Sequence, residues 1–257
     1  MNPRDLMPAE EYEAMFRSEE RLWWYAGLRE TLLWWLRREV PRGARVLDAG
    51  CGTGMNLALL HKEGYRVAGC DPSAHALQWS RQRVGGACLQ RASVASLPYA
   101  SESFDAVLCL DVLGILDEAP RQAAVREMWR VLRAGGVLVV HVSAFEWLRS
   151  PHDDFINWRV RFDRPSLLRL LTGSCRWTVL FCGYRIFLLF PLVAGAKIIR
   201  RLMTAWTGRS PQTDQHATPG MLNGVLLRVQ LLEHRLFRRR SAPVGTSLLA
   251  VLQKPEH

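Results

Sequence analysis

Residues 44 to 54 read ARVLDAGCGTG: a short apolar run, an acid, and then glycines at alternate positions. Glycine loses more backbone freedom on folding than any other residue, so three within five positions mark a loop that other residues cannot build. MNLALLHKEG (55–64) follows as a helix closed by Gly64. YRVAGCD (65–71) then returns as a second strand ending in another acid. A strand, a glycine turn, a helix and a strand in so short a span constrain the chain to a parallel crossover unit.

The alternation continues. Pro72 and Ser73 open a helix to about Val84; ACLQRAS (87–93) and FDAVLCLDVL (104–113) read as strands three and four. PRQAAVREMWRVLR (120–133) is an amphipathic helix, and Gly135-Gly136 turns into a fifth strand, GVLVVHVSA (136–144). The expected architecture is α/β, an open, mostly parallel sheet with helices on both faces. Ligands bind outside the carboxyl ends of such strands, so the loops after residues 48, 71, 93, 111 and 144 carry the site. Residues 9–39 read as one or two helices. A polar loop (145–163), a helix (164–173), a sixth strand (175–184) and a last strand (246–254) follow the fifth. The division expected is an N-terminal helical cap (1–43), a core (44–183), a basic and apolar helical insertion (184–243) and a final core strand (244–257).

The loop chemistry narrows the ligand. Gly50, Cys51, Gly52 and Gly54 let the backbone approach a bound molecule, at a helix N-terminus that favours negative charge. Asp71, at the end of the second strand, is placed to accept both hydroxyls of a ribose. A dinucleotide loop prefers a small residue where Met55 stands, and it needs no acid before the first glycine. S-adenosylmethionine (AdoMet) carries an ammonium and a carboxylate, and Asp48 suits its amino-acid end.

With these residues in hand, the chain resembles the class I AdoMet-dependent methyltransferases, in particular the ubiquinone/menaquinone-biosynthesis-like group. DAGCGTG is similar to their first motif, CDPS to the second, SVASLPYASESFDAVLCLDVL to the segment ending in the fourth strand, and LRAGGVLVV to the turn and fifth strand. The resemblance implies a Rossmann-like fold with a seven-stranded, mostly parallel sheet. It implies that Gly50, Gly52 and Gly54 line the methionine end of AdoMet, Asp71 binds the ribose, and Pro72 lies near the adenine. Ser93 stands where relatives carry an acid toward the adenine, Val94 contacts the ring, and Leu110, Asp111 and Val112 lie beside the sulfonium. Many relatives place Glu-His after the fourth strand; Gly114 and Ile115 stand here. LWWYAGLRETLLWWL, SPHDDFINWRVRFDRPSLLRLL and APVGTSLLAVLQKP further resemble a bacterial subgroup found near glycan and lipid biosynthesis, with Trp158 in place of a histidine.

Methyl transfer is an in-line displacement, so the protein aligns a nucleophile, excludes water and supplies a base where the acceptor must lose a proton. His152, followed by Asp153, is the first candidate base, or else a histidine that orders its loop; Asp111 and Tyr25 are the other catalytic candidates. Tyr25, with Trp23 and Trp24, roofs the pocket or staples the N-terminal helices. Arg159 and Arg161 alternate around Val160 and are expected to point to one side as an anion clamp or as solvated charge. His141, inside the fifth strand, reads as a satisfied core residue. The acceptor is a small-molecule or lipid-linked metabolite; a catalytically weak AdoMet-binding accessory protein is the alternative.

Charge locates the remaining feature. The chain carries 34 basic and 24 acidic residues, a net charge of +10. Ten basic residues against two acids (Asp214 and Glu233) fall within 184–240. IFLLFPLVAGA (186–196) is too short to span a bilayer and Pro191 interrupts it, while 221–240 is amphipathic. Such segments lie in a membrane interface with apolar faces buried and arginines at the headgroups, cover a long apolar substrate, or form a homodimer contact. Nucleic acid is excluded as substrate: DVLGILDE lacks the aromatic clamp of a base-modifying enzyme, and the basic block interleaves leucines rather than aromatics. Six scattered cysteines without a CxxC pair argue for a reducing compartment and no metal. The acidic N-terminus is not a signal peptide. A cytoplasmic protein, peripheral on the inner face of the membrane, is the expected localisation.

Overall fold

A computed structural model of the chain describes residues 8–207 and 220–256. The glycine loop follows β1 (Arg45–Ala49), whose Val46, Leu47 and Ala49 are fully buried. α3 (Met55–Lys62), β2 (Arg66–Cys70), α4 (Ala74–Arg83), β3 (Cys88–Gln90), β4 (Phe104–Leu110), α5 (Glu118–Val131) and β5 (Leu132–Ser143) follow. Strands β1 to β5 pair in parallel. The chain then runs through α6 (Pro151–Phe155), α7 (Arg164–Thr172), β6 (Thr178–Arg185), α8 (Phe190–Thr207), α9 (Gly220–Phe237) and β7 (Ser247–Gln253). The seven strands form one sheet in the order β3-β2-β1-β4-β5-β7-β6, with β7 antiparallel between β5 and β6. The chain moves outward from β1 to β3 and then crosses to β4 on the other side of β1. The switch point therefore lies between β1 and β4, where Asp48 stands opposite Leu108.

Both sheet faces are dry. One carries Leu47, Val107, Leu138 and Val140 against α5 and α7. The other carries Val46, Leu108 and Val139 against α2 (Trp23–Glu39), whose Leu32 and Leu36 are fully buried. Ahead of α2, α1 (Ala9–Ser18) crosses to α4: Phe16 stacks 4.3 Å from Trp79, and the Arg83 guanidinium sits 4.0 Å over Phe16. Buried Glu19 accepts hydrogen bonds from Arg83 and from Thr53 of the glycine loop, tying the N-terminal helices onto the cofactor side of the sheet. α9 is anchored to α2 by Asn223, which accepts from Trp23 N at 2.8 Å, and to the end of β6 by Glu233, which accepts from Ile186 N at 2.6 Å. Gln230 packs into the space that Gly27 leaves; a Cβ there would stand 2.0 Å from its Oε1.

Three local expectations change. The third strand shortens to Cys88–Gln90, because after it the chain is held by local bonds such as Ala95 N to Ser93 Oγ at 3.2 Å. Gly135-Gly136 lies inside β5 as an irregularity, with the register shifting opposite Phe104 and Ala106. Pro191 does not interrupt the apolar run. It is the second residue of α8, a position where its missing N–H costs nothing.

Candidate functional site

The loop after β1 is pinned to the end of β2: Gly50 N and Cys51 N both donate to Cys70 O, at 2.8 and 3.0 Å. Gly50 has φ +90°, and a Cβ there would lie 2.3 Å from Val112 Cγ2. Gly54 caps α3 at φ +82°, with a would-be Cβ 2.9 Å from the Ser80 backbone. Both positions demand glycine twice, by conformation and by space. Gly52 N donates to Asp71 Oδ2 at 3.0 Å, and Ser73 N to Asp71 Oδ1 at 2.9 Å. These bonds fix the Asp71 carboxylate; burial nevertheless raises it to about 6.

Asp48 is 1% exposed, and neither carboxylate oxygen has a hydrogen-bond partner among the described residues. Burial first, then Asp71 and Glu19, push it up to about 7; the nearby Asn56 amide offsets a little of this without closing a bond. A buried carboxyl left without a donor is a site shaped for something absent from the chain itself.

In front of this loop lies a cavity of about 530 Å³, a size typical of ligand pockets. Gly50, Cys51, Gly52, Asp71, Leu110 and Asp111 form one end of it. Tyr25 and His152 line it too, so both reach the same space. Asp48, Gly54, Pro72, Ser93 and Val94 do not line it. Asp48 and Gly54 lie behind the loop, Val94 is in the core, Ser93 caps its own turn, and Pro72 O accepts from Arg91. Burial, with Glu19, Asp111 and Glu11 nearby, pushes the Tyr25 phenol well above its usual range, so it stays protonated and serves as a donor.

His141 is not the satisfied core residue its strand position suggests. Its Nδ1 stands 2.9 Å from Asp111 Oδ2, the ring lines the cavity, and buried Nε2 has no partner. Asp111 holds a φ of +59° and donates its backbone N–H to His141 O at 2.9 Å. This strained turn sets its carboxylate beside the ring. Sequence reasoning missed the pairing. The available signal was register: Leu110 and His141 are cross-strand neighbours, so an acid following Leu110 falls next to the ring.

The two arginines part ways. Arg161 is buried, bonds Asp153 at 2.6 Å and lines the cavity. Arg159 faces outward toward Ile115 O and Asp117, because Gly114 O captures Arg159 N and Val160 N and turns the segment. They form no shared clamp. Gly114 is explained by Trp158: a Cβ at 114 would stand 2.3 Å from the indole, which occupies the space of a side chain after β4. His152 Nε2 stands 3.9 Å from Glu11, so it bridges α6 to α1 at the cavity wall.

Residues 47–140 match the family described as "Methyltransferase domain". A methyltransferase named GfsG from Streptomyces halstedii is 37% identical over 45% of this chain and 43% of its own. A malonyl-acyl-carrier-protein O-methyltransferase from Erwinia pyrifoliae is 29% identical over 77% of this chain and 72% of its own. The fold is shared with the N-methyltransferase NodS of Bradyrhizobium japonicum, solved with S-adenosyl-l-homocysteine: TM-score 0.53, 15% identity, 88% of this chain and 85% of that one. The sheet and its flanking helices have the Rossmann-like fold of class I methyltransferases. The likeness to AdoMet-dependent methyltransferases lies in this core, residues 47–140, and AdoMet is the cofactor that likeness indicates. It spans about half the length of the first curated relatives it matches. The orphaned Asp48 carboxylate and the Cβ-free approach at Gly50 fit that cofactor, which carries two cationic centres and a ribose.

Proposed function

We propose that the chain is an AdoMet-dependent methyltransferase acting on a small-molecule or lipid-linked acceptor at a membrane surface. The observation that carries the reading is the buried Asp48 carboxylate without a donor, behind a glycine loop and beside Asp71. Gly50, Cys51 and Gly52 would present backbone to the cofactor and Asp71 would accept from its ribose, while Asp48, behind the loop and off the cavity wall, would act on its positive charge through the field rather than by contact. Bound there, AdoMet supplies an electrophilic methyl group on a sulfonium whose leaving group is neutral. Asp111 accepts from His141 Nδ1–H, which leaves Nε2 as the basic nitrogen. His141 then takes the acceptor's proton, with Tyr25 donating to the acceptor and His152 holding the wall through Glu11. The Trp23 and Trp24 rings help keep water out.

The division of labour follows the chain. Residues 1–43 cap the site, 44–183 and 244–257 form the cofactor core, and 184–243 form an insertion that faces the membrane. Among the described residues no helix is long and apolar enough to cross a bilayer. Exposed Met221, Leu222, Val225 and Leu236 beside Arg228, Arg235 and Arg238 instead suit an interface of anionic lipid. Calorimetry of AdoMet binding, then a search for methylated products lost on Asp71→Ala, tests the reading. No AdoMet binding refutes it; binding without methyl transfer to any extract component establishes the accessory alternative. Flotation with phosphatidylglycerol vesicles tests the membrane contact, and a protein that stays behind refutes it.

A further inference from the structure

The cavity reaches well beyond the glycine loop. Its far wall is made by Val193 and Lys197 of α8, Leu226 of α9 and Ile186. Of all the residues lining it, only Leu192 and Ala196 are exposed. They are one helical turn apart, so they share a face of α8 and mark where the cavity opens. That face continues as Ile199, Met203 and Trp206, at helical spacing, which are 58%, 58% and 89% exposed. On the other flank Trp147, also exposed, meets Phe190 with ring centroids 5.9 Å apart. The opening therefore leads onto an apolar track.

We infer that Leu192 and Ala196 frame the acceptor port, and that the acceptor is a chain-bearing amphiphile drawn from an anionic bilayer. Its polar head passes inward toward Asp111 and His141, while its chain lies along Ile199, Met203 and Trp206. The inference deepens the proposed function and rests on it. Charge decides between a bilayer and a second copy of the chain as the cover. Arg201 on α8 and Arg228, Arg235, Arg238, Arg239 and Arg240 on and after α9 are exposed, whereas Glu233 is buried. Two such faces brought together would set arginines against arginines, which is costly; an anionic headgroup layer complements them. A mouth that opens into lipid also leaves the chain in an apolar medium throughout its transfer, so no desolvated tail has to cross water.

The probe is dansyl-undecanoic acid, followed by its fluorescence on the intact chain. Wild type is expected to bind it saturably, one per chain. Ala196→Trp, which plugs the mouth, is expected to weaken binding about tenfold or more, the loss of roughly two buried methylenes. Ala196→Ser, which leaves the mouth open, is expected to bind as wild type does. AdoMet calorimetry on each variant reports folding. A probe bound equally by Ala196→Trp overturns the port, and a wild type that ignores the probe overturns the acceptor class. Should AdoMet fail to bind while the probe results hold, the proposed function falls instead. Transfer from donor vesicles of equal parts phosphatidylcholine and phosphatidylglycerol identifies the source. A rate rising with vesicle concentration supports collision with the bilayer; a rate independent of it means uptake from water and overturns that route. Saturable loss of the probe signal on adding an acyl-carrier protein, with none on adding vesicles, also overturns the bilayer as source.

Discussion

Replacing Asp48 with asparagine separates what the site costs the fold from what it does for the cofactor. The carboxyl is held at about 7 instead of its ordinary 3.8 because burial, Asp71 and Glu19 all disfavour its charge. Between those values the folded chain keeps a proton that the unfolded chain has released. Stability contributed by this group is complete below about pH 4, falls as pH rises, and levels off above pH 7. At ~1.4 kcal/mol per pH unit, the loss reaches about 4 kcal/mol at pH 8 and roughly 1–2 kcal/mol at pH 5. An amide does not titrate, so Asp48→Asn escapes this loss, whatever fixed cost its extra N–H adds. Thermal unfolding of the cofactor-free protein is the assay. The variant's advantage over the parent is expected to widen by roughly 2–3 kcal/mol between pH 5 and pH 8. At ~2–4 °C per kcal/mol for a chain of this size, that is about 5–10 °C. The variant is also expected to bind AdoMet more weakly, since no carboxylate remains to meet its positive charge. A melting difference that is the same at both pH values would refute the buried, partnerless carboxyl.

The same group gives cofactor binding a pH dependence. AdoMet affinity is expected to fall as Asp48 gains its proton below pH 7, toward a limit of about tenfold per pH unit, read by calorimetry from pH 8 to pH 6. Gly54→Ala forces a side chain into φ +82° against the Ser80 backbone. It is expected to cost about 2–4 kcal/mol in urea unfolding, strain and overpacking together. His141→Asn, whose amide can keep a bond to Asp111, is expected to slow methyl transfer by roughly 10²–10⁴-fold while the AdoMet dissociation constant stays within about twofold. Arg161→Met strands the Asp153 carboxylate, which Arg161 and Lys197 hold below its usual range despite its burial. It is expected to cost about 3–5 kcal/mol at pH 7, recovered in part by Asp153→Asn in the same chain.

The glycine-loop half of the candidate site was legible in outline because its residues are consecutive. Asp48 to Gly54 and Asp71 to Ser73 obey local rules of strand end, turn and helix start, and the sheet then places both loops at one switch point. Pairings between distant strands were harder to see. His141 looked like core because a histidine in an apolar strand gives no sign of what lies across the ladder. Arg159 and Arg161 looked like neighbours on one face because alternation holds only in an extended strand. Gly114 O bends that segment, so the two side chains diverge. Pro191 was misjudged for a related reason: a proline in an apolar run starts a helix or breaks one, depending on where the previous strand ends. Here β6 ends at Arg185, so the helix begins beside the proline.

Gly114 and Trp158 show why the departures from family pattern do not argue for a dead site. Glycine in place of a family glutamate looks like the loss of a polar group when read alone. In the fold it is the space into which Trp158 inserts, from a segment far along the chain. A glutamate at position 114 would collide with the indole. The two departures are therefore one change: polar side chains after β4 give way to an aromatic wall at the cavity. On the proposed function, acid–base work then falls to the other side of Asp111, where His141 stands 2.9 Å away. It also lines the acceptor end with apolar surface that continues through Ile156 and Val193 to the mouth on α8. Loss of the loop's polar pair, gain of an apolar wall and an exposed apolar track on α8 all favour the same acceptor, one that brings a chain with it. Gly114→Glu tests this coupling. It is expected to expel Trp158, seen as a red shift in tryptophan emission, and to weaken amphiphile binding without touching AdoMet affinity. An unchanged emission spectrum with normal amphiphile binding would break the link between the two positions.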